Sequence, residues 1–145
     1  WNAGLNAGFS DADPEELYEP VIDEGMYTYQ EVNVASEEDD PKSLLNRMRA
    51  LITLRKSEPI FSLGGYQFLA KEQTQCLVLL REYKDEHILC ILNLSEEQQQ
   101  LELNLSEFIG KKLRDLLSNS DIAKIDQSRF PISIEPYGFY WLKFI

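Results

Sequence analysis

The chain has 145 residues, 43% of them apolar and 27% charged, with 14 Lys and Arg against 25 Asp and Glu for a formal net charge of -11. That composition is of one soluble globular domain with room for an appendage; it excludes a Pro-rich or collagen-like filament, wholesale disorder and, with no run near ~18 apolar residues, a membrane span. It also argues against a nucleic-acid surface, which needs clustered Lys and Arg to displace counterions, so neither nucleic acid nor membrane is an expected partner.

The acidity is local. Residues 1–40 hold 12 acids and no Lys or Arg, whereas residues 41–145 hold 13 acids and 14 bases. The first segment is rich in Gly, Asn and Pro, has no sustained helical or strand period, and reads as a long acidic loop with short turns. Trp1, Phe9, Tyr18, Tyr27 and Tyr29 punctuate it, more aromatics than a solvated tail needs, so it is expected to pack on something. A loop this long suits a surface excursion of a larger scaffold. The start at Trp1, with no initiator Met, basic n-region or apolar h-region, reads as a piece of a longer polypeptide with no visible secretory signal. Asn2-Ala3-Gly4 followed by Asn6-Ala7-Gly8 is a local duplication.

Asp40-Pro41 is a helix start, since Asp can cap free N–H groups and Pro at the first helical position loses no hydrogen bond. A helix over 41–57 follows. Leu44, Leu45, Met48, Leu51, Ile52 and Leu54 recur near a 3.6 period, Arg55 and Lys56 suit the negative end, and Pro59 closes it. Such a helix is marginal alone in water, so its apolar stripe needs protein cover.

From residue 60 the period becomes two. Strands are predicted over 66–69, 75–82, 86–94, 98–105, 111–117, 130–134 and 139–144, most of them separated by Gly, Pro, Asp or Asn. Their spacing fits an antiparallel β-sandwich of six to eight strands. Gln99, Leu101, Leu103 and Leu105 alternate with Gln98, Gln100, Glu102 and Asn104, which predicts one buried and one wet face. Pro136-Tyr137-Gly138 turns the chain into a last, aromatic strand that anchors the C-terminus. The reading is mainly β: residues 60–145 form the sandwich, preceded by an amphipathic helix (41–58) and the acidic loop (1–40).

Cys76 and Cys90 fall on two strands joined by a hairpin at Lys84-Asp85. If Tyr83 faces Glu86, Cys90 faces Leu79 and Cys76 faces Asn93, which puts the sulfurs on opposite sheet faces as free, buried thiols. A reducing compartment, the cytoplasm, is then the expected location. Asn93-Leu94-Ser95 and Asn104-Leu105-Ser106 match the glycosylation sequon, a permissive pattern that carries no weight without a signal peptide.

No residue is assigned a catalytic, cofactor or metal role. Glu15/Glu16, Glu37/Glu38 and Asp39/Asp40 are adjacent acids, which predicts solvation and not the facing carboxylates of a glycosidase cleft. His87, the single histidine, follows a hairpin turn, where an exposed polar residue is expected, and lacks partners for a triad or zinc site. Asp11-Ala12-Asp13 lacks the rest of a calcium loop, and Gly4/Gly8 and Gly64-Gly65 lack the context of a phosphate cradle. Trp1, Tyr27, Tyr29 and Trp141 have ring faces suited to pyranose C–H surfaces, although Trp141 on an aromatic terminal strand reads better as core.

Several blocks together carry a resemblance. Asn6-Ala7-Gly8-Phe9-Ser10 after a Trp, Glu31-Val32-Asn33-Val34, Asp40-Pro41-Lys42-Ser43-Leu44-Leu45, Leu51-Ile52-Thr53-Leu54-Arg55-Lys56 and the β-rich tail resemble the C-terminal third of the alpha-amylase family of glycoside hydrolases. Ala12-Asp13-Pro14, Leu17-Tyr18-Glu19-Pro20-Val21-Ile22, Leu80-Arg81-Glu82-Tyr83 to Leu92-Asn93-Leu94-Ser95, and Pro136-Tyr137-Gly138-Phe139-Tyr140-Trp141 are most similar to its trehalose synthase subgroup. The resemblance implies that residues 1–40 are the loop after the eighth barrel strand, 41–58 the last barrel helix and 60–145 the C-terminal sandwich. It implies a parent that interconverts maltose and trehalose, with an aspartate nucleophile, a glutamate acid/base and a second aspartate on barrel strands upstream of Trp1. The expected partner is that barrel, with α-glucan or disaccharide reached only through the parent; no cofactor is implied, and a homo-oligomer is compatible. The alternative is an independent carbohydrate-binding or protein-docking sandwich module.

Overall fold

The computed structural model describes all residues, 1–145, and falls into two compact units, Trp1–Ile52 and Thr53–Ile145. In the first unit, 3-10 turns occupy Leu5–Gly8, Pro14–Glu16 and Gly25–Tyr27, as a turn-rich loop should. A short helix, α1 (Val34–Asp39), interrupts it, started by Asn33, whose side-chain oxygen accepts from Ser36 N at 3.0 Å. The long helix α2 (Leu44–Ser57) begins three residues later than Asp40-Pro41 suggests. Asp40 instead closes a turn, its Oδ1 accepting from Lys42 N at 2.8 Å and its carbonyl from Ser43 N at 3.0 Å. Ser43 is the cap: its Oγ accepts from Asn46 N at 3.1 Å and donates to Glu37 O at 2.6 Å. Asn46 Nδ2 lies within 3.1 Å of the carbonyls of Glu37, Glu38 and Asp40 and so caps the C-terminal end of α1. No residue of α2 is buried; Leu44, Met48 and Ile52 expose much of their apolar surface, so the stripe the sequence predicts is uncovered in this chain.

The second unit is the antiparallel sandwich. It opens with a short helix the sequence pattern did not disclose, α3 (Ile60–Leu63), formed as Pro59 turns the chain back on itself. Eight strands follow: β1 (Gly65–Leu69), β2 (Cys76–Tyr83), β3 (Glu86–Asn93), β4 (Gln99–Asn104), β5 (Lys112–Asp115), β6 (Ser120–Lys124), β7 (Arg129–Ile134) and β8 (Phe139–Phe144). One sheet has the order β1-β2-β3-β8-β5-β6 and the other pairs β4 with β7. β6 is the strand the sequence does not reveal. It lies at a sheet edge with its residues mostly exposed, so selection for a buried face leaves no alternation to read. β5 is shorter than predicted because Asp115 ends it, its carboxylate accepting from Ser118 N at 2.9 Å and Ser118 Oγ at 2.6 Å.

The hairpin register is the expected one: Tyr83 pairs with Glu86, Leu79 with Cys90 and Cys76 with Asn93. The thiols therefore enter different cores. Cys76, Val78 and Leu80 face Leu101, Leu103, Phe130, Ile132 and Ile134 across the two sheets, together with Leu89, Ile91, Leu113 and Leu142. Cys90 joins Ile60 and Ile88 in a smaller cluster on the opposite face, flanked by Phe61, Leu79 and Trp141. Burying each large apolar side chain contributes ~1.5–3 kcal/mol, so the inter-sheet cluster is the main source of stability here.

Polar side chains fix the strand ends. Arg81 reaches back to α3, donating from Nε to Ile60 O at 3.2 Å and from Nη2 to Gly64 O at 2.9 Å. That approach leaves no space at Gly64, where a Cβ would lie 2.5 Å from Ile60 O and 2.7 Å from Glu82 O. Lys143 Nζ is shared between Glu58 at 3.0 Å and Glu86 at 2.9 Å, tying the segment after α2 to β3 and β8. Asn93, 3% exposed, donates to Glu97 O at 2.6 Å and Glu135 O at 3.0 Å and accepts from Ser95 N and Oγ, joining three strand ends.

Candidate functional site

The residues with chemical potential are dispersed. Asp13 Oδ1 accepts from Glu15 N at 3.1 Å, Asp40 closes its turn, and Glu38 pairs with Arg49 at 2.7 Å, so these acids serve local structure. No group of three or more His, Cys, Asp or Glu side chains converges on a common point. His87 is not the exposed residue its place after the turn suggests. Its ring is half-buried, edge-on to Phe108 at 5.0 Å and to Phe144 at 6.3 Å, because β3 carries it to the rim of the main core. Trp141 stacks at a tilt on Phe61 at 4.6 Å, a packing role. Burial pushes the Cys90 thiol up to about 11, against a smaller opposing pull from the Arg81 charge, and also raises Cys76; both are unpaired. The Asn93 amide is consumed inside the protein and is closed to glycosylation, whereas Asn104 is exposed.

What the first unit does assemble is an aromatic bowl. Trp1 and Phe9 stand 5.8 Å apart, and with Val21, Ile22, Tyr27 and Tyr29 they line a cavity of about 440 Å³. Its rings remain open: Trp1 is 58%, Phe9 69% and Tyr27 70% exposed. The wall is set by an unusual turn in which Asn6 (φ 52°, ψ 34°), Ala7 (φ 56°, ψ 19°) and Gly8 (φ 77°) are left-handed in succession. Such a conformation costs of order 1–3 kcal/mol at a non-Gly residue and persists only where surrounding bonds enforce it. Here Asn6, buried, donates from Nδ2 to Ser10 O at 3.0 Å and Ala12 O at 2.7 Å, while Asn2 N donates to Ala7 O at 3.0 Å. The duplicated Asn-Ala-Gly is thus a duplication in sequence only. Gly4 is extended, and its N–H donates to Asn2 Oδ1 at 2.8 Å, whereas Gly8 is left-handed.

The bowl's liners carry no carboxylate or imidazole, and its ring faces suit an apolar or C–H surface. Sequence reasoning found its aromatics. It missed the asparagines that tie each unit internally, Asn6, Asn33 and Asn46 in the first and Asn93 in the second, because an Asn that satisfies buried carbonyls looks in sequence like one that sits in a turn.

The sandwich with a C-terminal strand inserted centrally, preceded by a helix with an open apolar stripe, is the architecture of an amylase-type C-terminal β domain. The family model described as Maltogenic Amylase, C-terminal domain, matches residues 66–141. The chain belongs to the alpha-amylase family of glycoside hydrolases, as its C-terminal domain. It is 32% identical to the trehalose synthase/amylase of Mycobacterium tuberculosis over 99% of this chain and 24% of that protein. It is likewise 32% identical to the trehalose synthase of Pimelobacter over 95% of this chain and 25% of that protein. Among solved structures, the trehalose-6-phosphate hydrolase of Bacillus licheniformis superposes with a TM-score of 0.71 at 27% identity, covering 99% of this chain and 24% of that one. The chain thus spans about a quarter of the length of the relatives it matches.

Proposed function

We propose that this chain is the C-terminal part of a trehalose synthase, an enzyme that interconverts maltose and trehalose by retaining transfer of a glucosyl unit from one sugar hydroxyl to another, with one carboxylate as nucleophile and a second carboxyl as acid/base. The observation that carries the reading is the extent of the match to trehalose synthases, which runs through the aromatic bowl and strained turn as well as the sandwich. On this reading residues 1–40 are the loop that follows the last barrel strand, 41–58 the last barrel helix and 60–145 the sandwich. The upstream barrel supplies every catalytic carboxylate and covers the open stripe of α2; the chain's own role is to complete and stabilise it. The two buried thiols fit a cytoplasmic enzyme.

The test is product analysis. The full polypeptide incubated with maltose should yield trehalose, and the 145-residue chain alone should leave both sugars unchanged. Release of glucose without trehalose by the full polypeptide, or turnover by the chain alone, overturns the reading.

A further inference from the structure

The segment that joins α2 to β1 is short, and the sheet grips it along its whole length. Glu58 receives an ion pair from Lys143 of β8 at 3.0 Å. Ile60 is fully buried against Ile88 and Cys90 of β3, and Phe61 packs on Trp141 of β8 with ring centroids 4.6 Å apart. Arg81 of β2 then holds two carbonyls at once, Ile60 O at 3.2 Å and Gly64 O at 2.9 Å. The gripping strands β2, β3 and β8 are neighbours in the six-stranded sheet.

Local structure alone does not account for this segment. α3 has four residues, whereas isolated helices below ~12–15 residues are marginal in water. Its turns are nevertheless complete: Phe61 N donates to Glu58 O at 3.1 Å, Ser62 N and Leu63 N to Pro59 O at 3.0 and 2.8 Å, and Gly64 N to Ile60 O at 3.1 Å. Tertiary contacts must therefore supply the stability that so short a helix lacks.

The grip also reaches upstream. Glu58 N donates to Leu54 O at 3.2 Å, so the hydrogen bonding of α2 runs on into the held segment. Residues 53–57, the last turn of α2, fall in the same compact unit as the sheet. Cys90 lies in the cluster that Ile60 and Phe61 complete, on the face opposite Cys76, so each face of the sheet carries one buried thiol.

We infer that residues 58–64 are a strap that locks the last turn of α2 onto the sheet, so that strap and sheet open only together and the helix end has no flexible linker behind it. That the strap is also how the sandwich stabilises the barrel rests on the reading of α2 as the last barrel helix. The experiment is hydrogen exchange of the native 145-residue chain, followed by NMR at rising sub-denaturing urea, with alkylation of the two thiols in parallel. The amides of 61–64 should be retarded as much as those of β3, on the order of 10³-fold or more, with the same urea dependence. Cys90 and Cys76 should be labelled at rates within a few-fold of each other, because both wait for one opening. Arg81→Met keeps the apolar stem and removes both bonds to the strap; it should lower protection of 61–64 and of β3 by the same factor, about tenfold or more. Lys143→Met puts the same question to the Glu58 end if Arg81→Met fails to fold.

Three results overturn the inference: amides of 61–64 that exchange within about tenfold of a free chain, labelling of Cys90 well ahead of Cys76, or a variant that strips protection from 61–64 and leaves β3 unchanged. Each would describe a linker that opens by itself. None depends on which sugar the full polypeptide makes, so the strap and the product analysis fail separately.

Discussion

Replacing Asn93 by Ala should be the most damaging single polar substitution in the sandwich. The side chain makes four hydrogen bonds of 3.0 Å or less: to Glu97 O, to Glu135 O, from Ser95 N and from Ser95 Oγ. At a net ~0.5–1.5 kcal/mol each the loss is about 4 kcal/mol, and it rises if the abandoned carbonyls find no water. The domain's stability is expected within ~5–15 kcal/mol, so this is a large share of it. For a domain of this size it corresponds to a fall in Tm of about 20 °C. The assay is urea and thermal unfolding followed by circular dichroism, with Asn104→Ala as control. Asn104 is exposed and accepts one bond, from Ser106 N at 3.2 Å, so its variant should lose under ~1 kcal/mol. If the two variants unfold within 1 kcal/mol of each other, the assignment of Asn93 as the tie between three strand ends is refuted.

Gly64→Ala should destabilise the sandwich by more than ~2 kcal/mol, because the new Cβ meets two backbone carbonyls, whereas Gly65→Ala meets nothing and should stay within ~0.5 kcal/mol; paired melting curves decide. Burial pulls Lys143 toward the neutral amine, but its bonds to Glu86 and Glu58 and their charges outweigh this and hold its pKa above the ordinary value. The stabilisation is therefore complete below the unfolded lysine value near 10.5 and is lost as pH rises through the higher folded value, a slope in the alkaline stability profile that Lys143→Met should remove. Cys90, with its thiol pushed up to about 11, should resist alkylation at pH 8 in the native chain and react on unfolding, as mass spectrometry will show; rapid native labelling would contradict its burial.

How legible the molecule is in its sequence depends on what each residue must satisfy. Where a side chain need only choose between core and water, the pattern is readable. The β2–β3 register, the opposed faces of Cys76 and Cys90, and the buried Leu101, Leu103 and Leu105 all follow from a period of two and a short turn. Where a segment has no buried face, as in β6, or where competing caps stand three residues apart, as Asp40 and Ser43 do, local pattern cannot arbitrate. His87 shows the same limit: proximity to a turn suggested exposure, and the approach of Phe108 and Phe144 from distant parts of the chain reversed it.

The candidate sites divide along the same line. The aromatics of the bowl, the acidic bias of residues 1–40 and the blocks that place the chain in its family are one-dimensional properties, fixed once the residues are written down. The bowl's left-handed wall depends on Asn6 reaching Ser10 and Ala12 while Asn2 holds Ala7. Sequence determines which side chains seek apolar contact and in what rhythm, because hydrophobic burial is non-directional and tolerates small errors of position. Only the tertiary structure decides which polar atoms meet and which are left free, because a hydrogen bond exists within a few tenths of an ångström and its partners are chosen by the fold.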